Sequence, residues 1–141
     1  MKEYRSKSAA ETAAIAEEIG RNAAAGTVLA LKGDLGAGKT VFAQGVARGL
    51  GIGEAVDSPT FTILKIYEGG RLPLYHFDVY RLEDGDEMAE LGLDEYLDGD
   101  GLCLIEWAEL VRDILPPGTK YITIEREEDG DFDHRRIRIE E

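Results

Sequence analysis

Gly33-Asp34-Leu35-Gly36-Ala37-Gly38-Lys39-Thr40 fits the pattern G-x-x-x-x-G-K-[ST] at every fixed position. Each of those positions has a physical reason. The glycines let backbone amides converge on phosphate oxygens, the lysine supplies a mobile cation, and the threonine hydroxyl can ligate Mg²⁺. Upstream, Thr27 to Lys32 contains the apolar run Val-Leu-Ala-Leu, the signature of a short strand buried on both faces. Downstream, Thr40 to Leu50 reads as a helix turning Val41, Phe42, Val46 and Leu50 inward. Strand, glycine loop and helix N-terminus in that order form an anion site, because the first amides of the helix are unpaired and point at the loop. The nucleotide-binding candidates are therefore Gly33, Asp34, Leu35, Gly36, Ala37, Gly38, Lys39, Thr40 and Val41.

Working outward, Ser8-Ala-Ala-Glu11 is a capping box opening an alanine-rich helix that runs to about Ala25 and stops at Gly26. Phe61 to Tyr67 and Leu72 to Tyr80 are β-rich stretches flanking the turn Glu68-Gly69-Gly70-Arg71. Asp86 to Leu97 is weakly helical, with a break near Gly92. Leu102 to Ile105 is a second continuous apolar run, and Trp107 to Leu115 a short helix ended by Pro116-Pro117. Tyr121 to Glu125 and Arg136 to Glu140 form a last hairpin around Asp129-Gly130. The fold expected is a P-loop NTPase-like α/β three-layer sandwich, its mixed sheet having a parallel core and antiparallel hairpin additions. At 141 residues and 43% hydrophobic, residues 1–141 are expected to form a single domain.

Hydrolysis needs more than a phosphate loop. It needs a carboxylate on the Mg²⁺ side and a group that orients water. Glu106 closes the apolar run ending at Ile105, where a Walker B acid would stand, although the usual residue there is Asp. Asp78 lies in His76-Phe77-Asp78-Val79-Tyr80-Arg81, and strand alternation groups His76, Asp78 and Tyr80 on one face. That face could equally be solvated, and Glu106 could be an ordinary acid at a strand end. Lys39, Asp78 and Glu106 are the catalytic candidates, with Thr40 and Glu106 as metal ligands. Ser58 and Thr60, on the proline-stiffened turn Ser58-Pro59-Thr60, are candidates for a switch that senses the γ-phosphate. His76 and His134 lack the spacing of a zinc site and read as structural. Cys103 is the only cysteine, lies in an apolar run and reads as inert packing in a reducing compartment.

Four motifs, GDLGAGKT at 33–40, SPTF at 58–61, HFDVYR at 76–81 and IEW at 105–107, occur in that order. Together they resemble the TsaE family, formerly YjeE, of bacterial P-loop ATPases, and the likeness extends over nearly the whole chain. The resemblance implies a role in forming N6-threonylcarbamoyladenosine at position 37 of tRNAs that read ANN codons. In that family TsaD with TsaB carries out the transfer. TsaE binds their complex and hydrolyses ATP with Mg²⁺, weakly alone and faster with its partners, to permit repeated turnover. By motif, the resemblance makes Lys39 the phosphate lysine, Thr40 the Mg²⁺ hydroxyl, Glu106 the acidic Mg²⁺ partner and Asp78 an acid needed for hydrolysis. It also makes Thr60 part of the switch loop, sets Trp107 beside the nucleotide and puts Thr12 near the adenine.

Two rival readings remain open at this stage. A small-molecule kinase would carry an arginine-rich lid, whereas Glu83 to Asp100 contains no Arg or Lys. A nucleotide-gated binding module would bind without turnover. A GTPase is disfavoured because no Asn-Lys-x-Asp motif occurs.

No apolar run approaches the ~20 residues that span a bilayer, and the first residues lack a signal-peptide core, so no membrane association and a cytoplasmic location are expected. Twenty-nine acidic against sixteen basic residues leave a net charge of -13. The one dense basic cluster is Arg135, Arg136 and Arg138, which reads as a solvated strand edge with Arg135 on the face opposite the other two. Contact with tRNA is therefore expected only indirectly, through the TsaB and TsaD partners. In a filter-binding titration the isolated chain should bind tRNA weakly, because so acidic a surface opposes a polyanion. Tight, salt-sensitive binding would reveal a basic groove that composition conceals.

Overall fold

The computed structural model describes residues 2–33, 38–57, 59, 62–127 and 133–141. Seven strands form one mixed sheet: β1 (Lys2–Ser6), β2 (Val28–Gly33), β3 (Leu64–Tyr67), β4 (Leu74–Asp78), β5 (Leu102–Glu106), β6 (Lys120–Arg126) and β7 (Arg135–Glu140), in the order β1-β7-β6-β2-β5-β4-β3. β6, β2, β5 and β4 run parallel, while β3, β7 and β1 add on antiparallel pairings. The parallel core and antiparallel flanks match the architecture expected from the sequence.

Alternation along the parallel strands divides the interior into two layers. On one face Leu29, Leu31, Leu74, Leu102, Leu104, Ile122 and Ile124 pack under α1 (Ala9–Asn22) and α2 (Lys39–Gly49). On the other, Val28, Ala30, Tyr75, Phe77, Cys103 and Ile105 pack against Met88 of α3 (Gly85–Glu90) and the 3-10 segments Leu93–Asp98 and Ala108–Ile114. This makes the three layers. Burial pushes the Cys103 thiol up to about 12, in keeping with an inert packing role.

Several boundaries differ from the expected ones for local reasons. Ser8 caps α1 by accepting from the Glu11 amide at 3.1 Å, but Glu11 returns its bond to Lys7 N, not to Ser8 N. α1 ends at Asn22, before Gly26, which serves the following turn with φ +87°. β1 carries no apolar alternation and is held by pairing with β7, from Lys2↔Ile139 to Ser6↔Arg135. β7 is therefore an interior strand and its arginines are not a solvated edge. Arg136 and Arg138 share a face, as expected, and pair with Glu3, Glu125 and Glu127 at 3.3–3.8 Å. Such half-exposed pairs contribute about 0.2–1 kcal/mol each, so they neutralise the cluster more than they stabilise the strand. No helix among the described residues is long and apolar enough to cross a membrane.

α1 and α2 approach closely because small residues line their contact. A Cβ on Gly45 would lie 2.5 Å from the Ala13 carbonyl oxygen and 2.7 Å from the Ala16 Cβ. Neither obstacle is a flexible side-chain tip. Gly45→Leu should lose about 2–3 kcal/mol in urea unfolding. Gly53→Ala, where nothing lies within 4 Å, should stay within about 0.5 kcal/mol.

Candidate functional site

β2 delivers the chain to the phosphate-loop segment and α2 receives it. Residues 34–37 lie outside the described residues, so the structure speaks for the two ends of the loop, Gly33 and Gly38. Gly38 has φ +108°, a left-handed conformation open to glycine, and its carbonyl accepts the Phe42 amide at 2.9 Å as α2 begins. Lys39 and Thr40 are thus the first two helical residues. Thr40 is exposed and Val41 half-buried, so Val41 faces the inner layer less than its apolar character suggests, whereas Phe42, Val46 and Leu50 are buried.

Next to β2 in the sheet, β5 and then β4 end side by side, with Asp78 opposite Glu106 in their parallel register. Both acids continue the inward face of their strands, Leu74-His76-Asp78 and Leu102-Leu104-Glu106, beyond the point where apolar residues stop. Asp78 is 7% and Glu106 6% exposed, which excludes the solvated-acid reading of each. A buried carboxylate needs partners. Glu106 Oε1 is 3.7 Å from Lys39 Nζ, and its Oε2 is 2.9 Å from His76 Nε2. Asp78 Oδ1 accepts the Tyr80 amide at 3.1 Å, and the Asp78 amide donates to the Ile63 carbonyl at 2.7 Å.

Tyr80 does not share the face of His76 and Asp78, because β4 ends at Asp78. It is exposed instead, its ring 5.1 Å from that of Trp107. Trp107 follows Glu106 with φ +63°, a conformation costing roughly 1–3 kcal/mol for a residue with a Cβ, and Lys39 Nζ lies 5.7 Å from its ring centre. The turn swings the indole out of the strand line and over the lysine. A cleft of ≈ 380 Å³ is bordered by Gly33, Lys39, Trp107, Thr123 and Glu125. On the other side of α2's start, Thr12, Gly38, Val41 and Arg135 border a smaller hollow. The Thr12 hydroxyl is buried and donates to Ser6 Oγ at 2.7 Å.

The structure thus gathers Lys39, Asp78, Glu106 and Trp107 around the N-terminus of α2, with Gly33, Gly38, Thr40 and Val41 framing it and Thr12 behind. Asp34, Leu35, Gly36, Ala37, Ser58 and Thr60 lie outside the described residues. Pro59, between the two switch candidates, is buried and accepts the amides of Thr62 and Ile63. The donor set suits Mg²⁺: two buried carboxylates in register and a hydroxyl are hard oxygen ligands, and phosphates customarily complete such a shell. Among the described residues no group of three or more His, Cys, Asp or Glu forms an all-protein cage.

The family model described as "Threonylcarbamoyl adenosine biosynthesis protein TsaE" matches residues 6–137. The chain belongs to the TsaE family. Its similarity to the tRNA threonylcarbamoyladenosine biosynthesis protein TsaE of Bacillus subtilis (strain 168) is 53% identity over 128 residues, covering 91% of this chain and 80% of that protein. The protein of the same name from Treponema pallidum (strain Nichols) is 46% identical over 125 residues, 89% of this chain and 92% of the relative. Among solved structures, the crystal structure of YdiB from Bacillus subtilis superposes with a TM-score of 0.82 at 48% identity, covering 96% of this chain and 82% of that one. The P-loop NTPase-like sandwich is therefore shared with a solved relative.

Two features of this TsaE chain escaped sequence reasoning. Arg135 is 8% exposed, and its Nε lies 3.9 Å from where a Cβ on Gly38 would stand, so it belongs to the rim of the loop. His76, structural by its sequence context, touches Glu106. The signal was present in the i, i+2 spacing of His76 and Asp78, but only the register between β4 and β5 says which acid the ring meets.

Trp107 is the chain's only tryptophan, so its fluorescence reports on this site. Lys39→Ala should shift that emission while changing stability by about 1 kcal/mol or less, since its ion pair is long and the bond from His76 to Glu106 remains. A large loss in thermal unfolding would make Lys39 a structural residue.

Proposed function

We propose that this TsaE chain binds and hydrolyses ATP with Mg²⁺, and that the hydrolysis supports turnover of a TsaB–TsaD complex forming N6-threonylcarbamoyladenosine at position 37 of tRNA. One observation carries the reading. A lysine at the start of the helix after β2 faces Glu106, one of two buried carboxylates set side by side at the carboxyl ends of neighbouring parallel strands, the end of an open α/β sheet where ligands bind. The names of its relatives supply the pathway.

In this reading the loop amides and Lys39 hold the phosphates, and Lys39 leaves Glu106 for the β- and γ-phosphate oxygens. Thr40 and Glu106 would hold Mg²⁺, which when bound neutralises charge on the transferring phosphoryl group. Asp78 is poised beside Glu106 to orient the attacking water or the metal. Trp107 and Tyr80 form an aromatic wall on the open side, and Thr12 stands on the adenine side. Ser58 and Thr60 form the switch. Because the net charge is -13, the tRNA is held by the partners and not by this chain. The cytoplasm is the compartment that this pathway requires.

The direct test is ATP hydrolysis by the protein alone, then with TsaB, TsaD and tRNA added. Slow turnover that rises strongly with the complex supports the proposal. Binding without turnover in every combination would leave a nucleotide-gated module.

Glu106→Gln keeps the shape and removes the charge, so turnover should fall by about 10²-fold or more while ATP affinity falls less, since the amides and Lys39 remain. Asp78→Asn should likewise lower kcat more than affinity. Partner-stimulated kcat and equilibrium ATP binding, measured for each variant, check both. Unchanged turnover in the two variants would remove these carboxylates from the mechanism.

A further inference from the structure

His76 lies on β4 two residues before Asp78 and is 1% exposed. Its Nε2 is 2.9 Å from Glu106 Oε2, while its Nδ1, also buried, has no hydrogen-bond partner among the described residues. This asymmetry defines the ring. A carboxylate only accepts, so the bond requires the imidazole to donate from Nε2. The proton on Nε2 makes the bond and leaves a lone pair, not a stranded N–H, at Nδ1.

Glu106 is consequently held from two directions. His76 draws Oε2 toward the interior of the sheet, and Oε1 faces Lys39 across 3.7 Å, well beyond the roughly 2.7–2.9 Å of a tight charge-assisted bond. The tight bond on Glu106 is therefore the one to the histidine, and the contact with the lysine is the loose one. We propose that His76 is a positioning residue, anchoring Oε2 of Glu106 so that Oε1 is presented to the nucleotide side and Lys39 stays uncommitted until a phosphate arrives. The inference rests on the nucleotide-hydrolase reading for its consequence, but the anchoring bond itself is a property of the nucleotide-free protein. A histidine that merely fills space needs no donor at Nε2; a positioning histidine does.

Two substitutions separate these roles. Gln can bring an amide N–H to the place of Nε2, whereas Asn reaches only as far as Nδ1. With ATP, Mg²⁺ and the partner complex, His76→Gln should retain turnover within about threefold, and His76→Asn should lose about 10- to 100-fold in kcat, with ATP affinity little changed in both. Equal turnover in the two variants, at equal unfolding midpoints, would overturn the proposal. In parallel, ¹⁵N spectra of the nucleotide-free protein, which has only two histidines, should show His76 protonated at Nε2. Its Nε2–H should exchange with water faster in Glu106→Ala. An Nδ1–H tautomer, or a His76 signal unmoved by Glu106→Ala, would also overturn the anchoring. If the wild-type chain fails to hydrolyse ATP under any condition, the hydrolase reading falls, and the tautomer experiment still decides whether His76 holds Glu106.

Discussion

Parallel pairing of β4 with β5 sets Asp78 opposite Glu106, and the site depends on that register. A slip of β4 by one residue against β5 would turn Asp78 to the opposite face, away from α2 and from Glu106, and bring Phe77 under the helix instead. The register is fixed further back along the same strands. Leu74 pairs with Leu102 and His76 with Leu104, and each of these four side chains is almost wholly buried. Packing that stabilises the sheet therefore also aims the carboxylates.

The same face changes character along its length. Toward the start of the strands it is leucine under α1 and α2; toward their end it becomes His76, Asp78 and Glu106. Desolvating such groups is costly, and the cost is offset by pairing: lysine and histidine on Glu106, a backbone amide on Asp78. Left-handed Trp107 adds local strain immediately after Glu106. Strain and buried charge are thus concentrated at one end of an otherwise apolar sheet, where the polypeptide gives up stability for a defined arrangement of charges.

Much of this was legible in the sequence because its signals are local. The apolar runs of β2 and β5, the glycine loop and the Pro-Pro stop each carry their meaning within a few residues. What stayed hidden depended on distant partners. β1 has no periodicity of its own and exists because β7 lies beside it. Arg135 read as part of a basic edge because the strand covering that edge was not visible in the pattern. Alternation groups Tyr80 with Asp78 only if the strand runs two residues further than it does. The contact between His76 and Glu106 spans 30 positions and is set by strand register, which no local pattern encodes.

The strand order also orders events in time. Among the described strands β1, the first to leave the ribosome, pairs only with β7, the last, and β2 lies between β5 and β6. Among the described strands, β1 and β2 have no sheet neighbour until β5 has been made. A nascent chain halted after α2 holds its phosphate-loop segment with neither flanking strand in place. Synthesis must run past β7 before the described sheet can close, so a product that stops short of β5 and β6 exposes unpaired strand edges, which quality control can recognise.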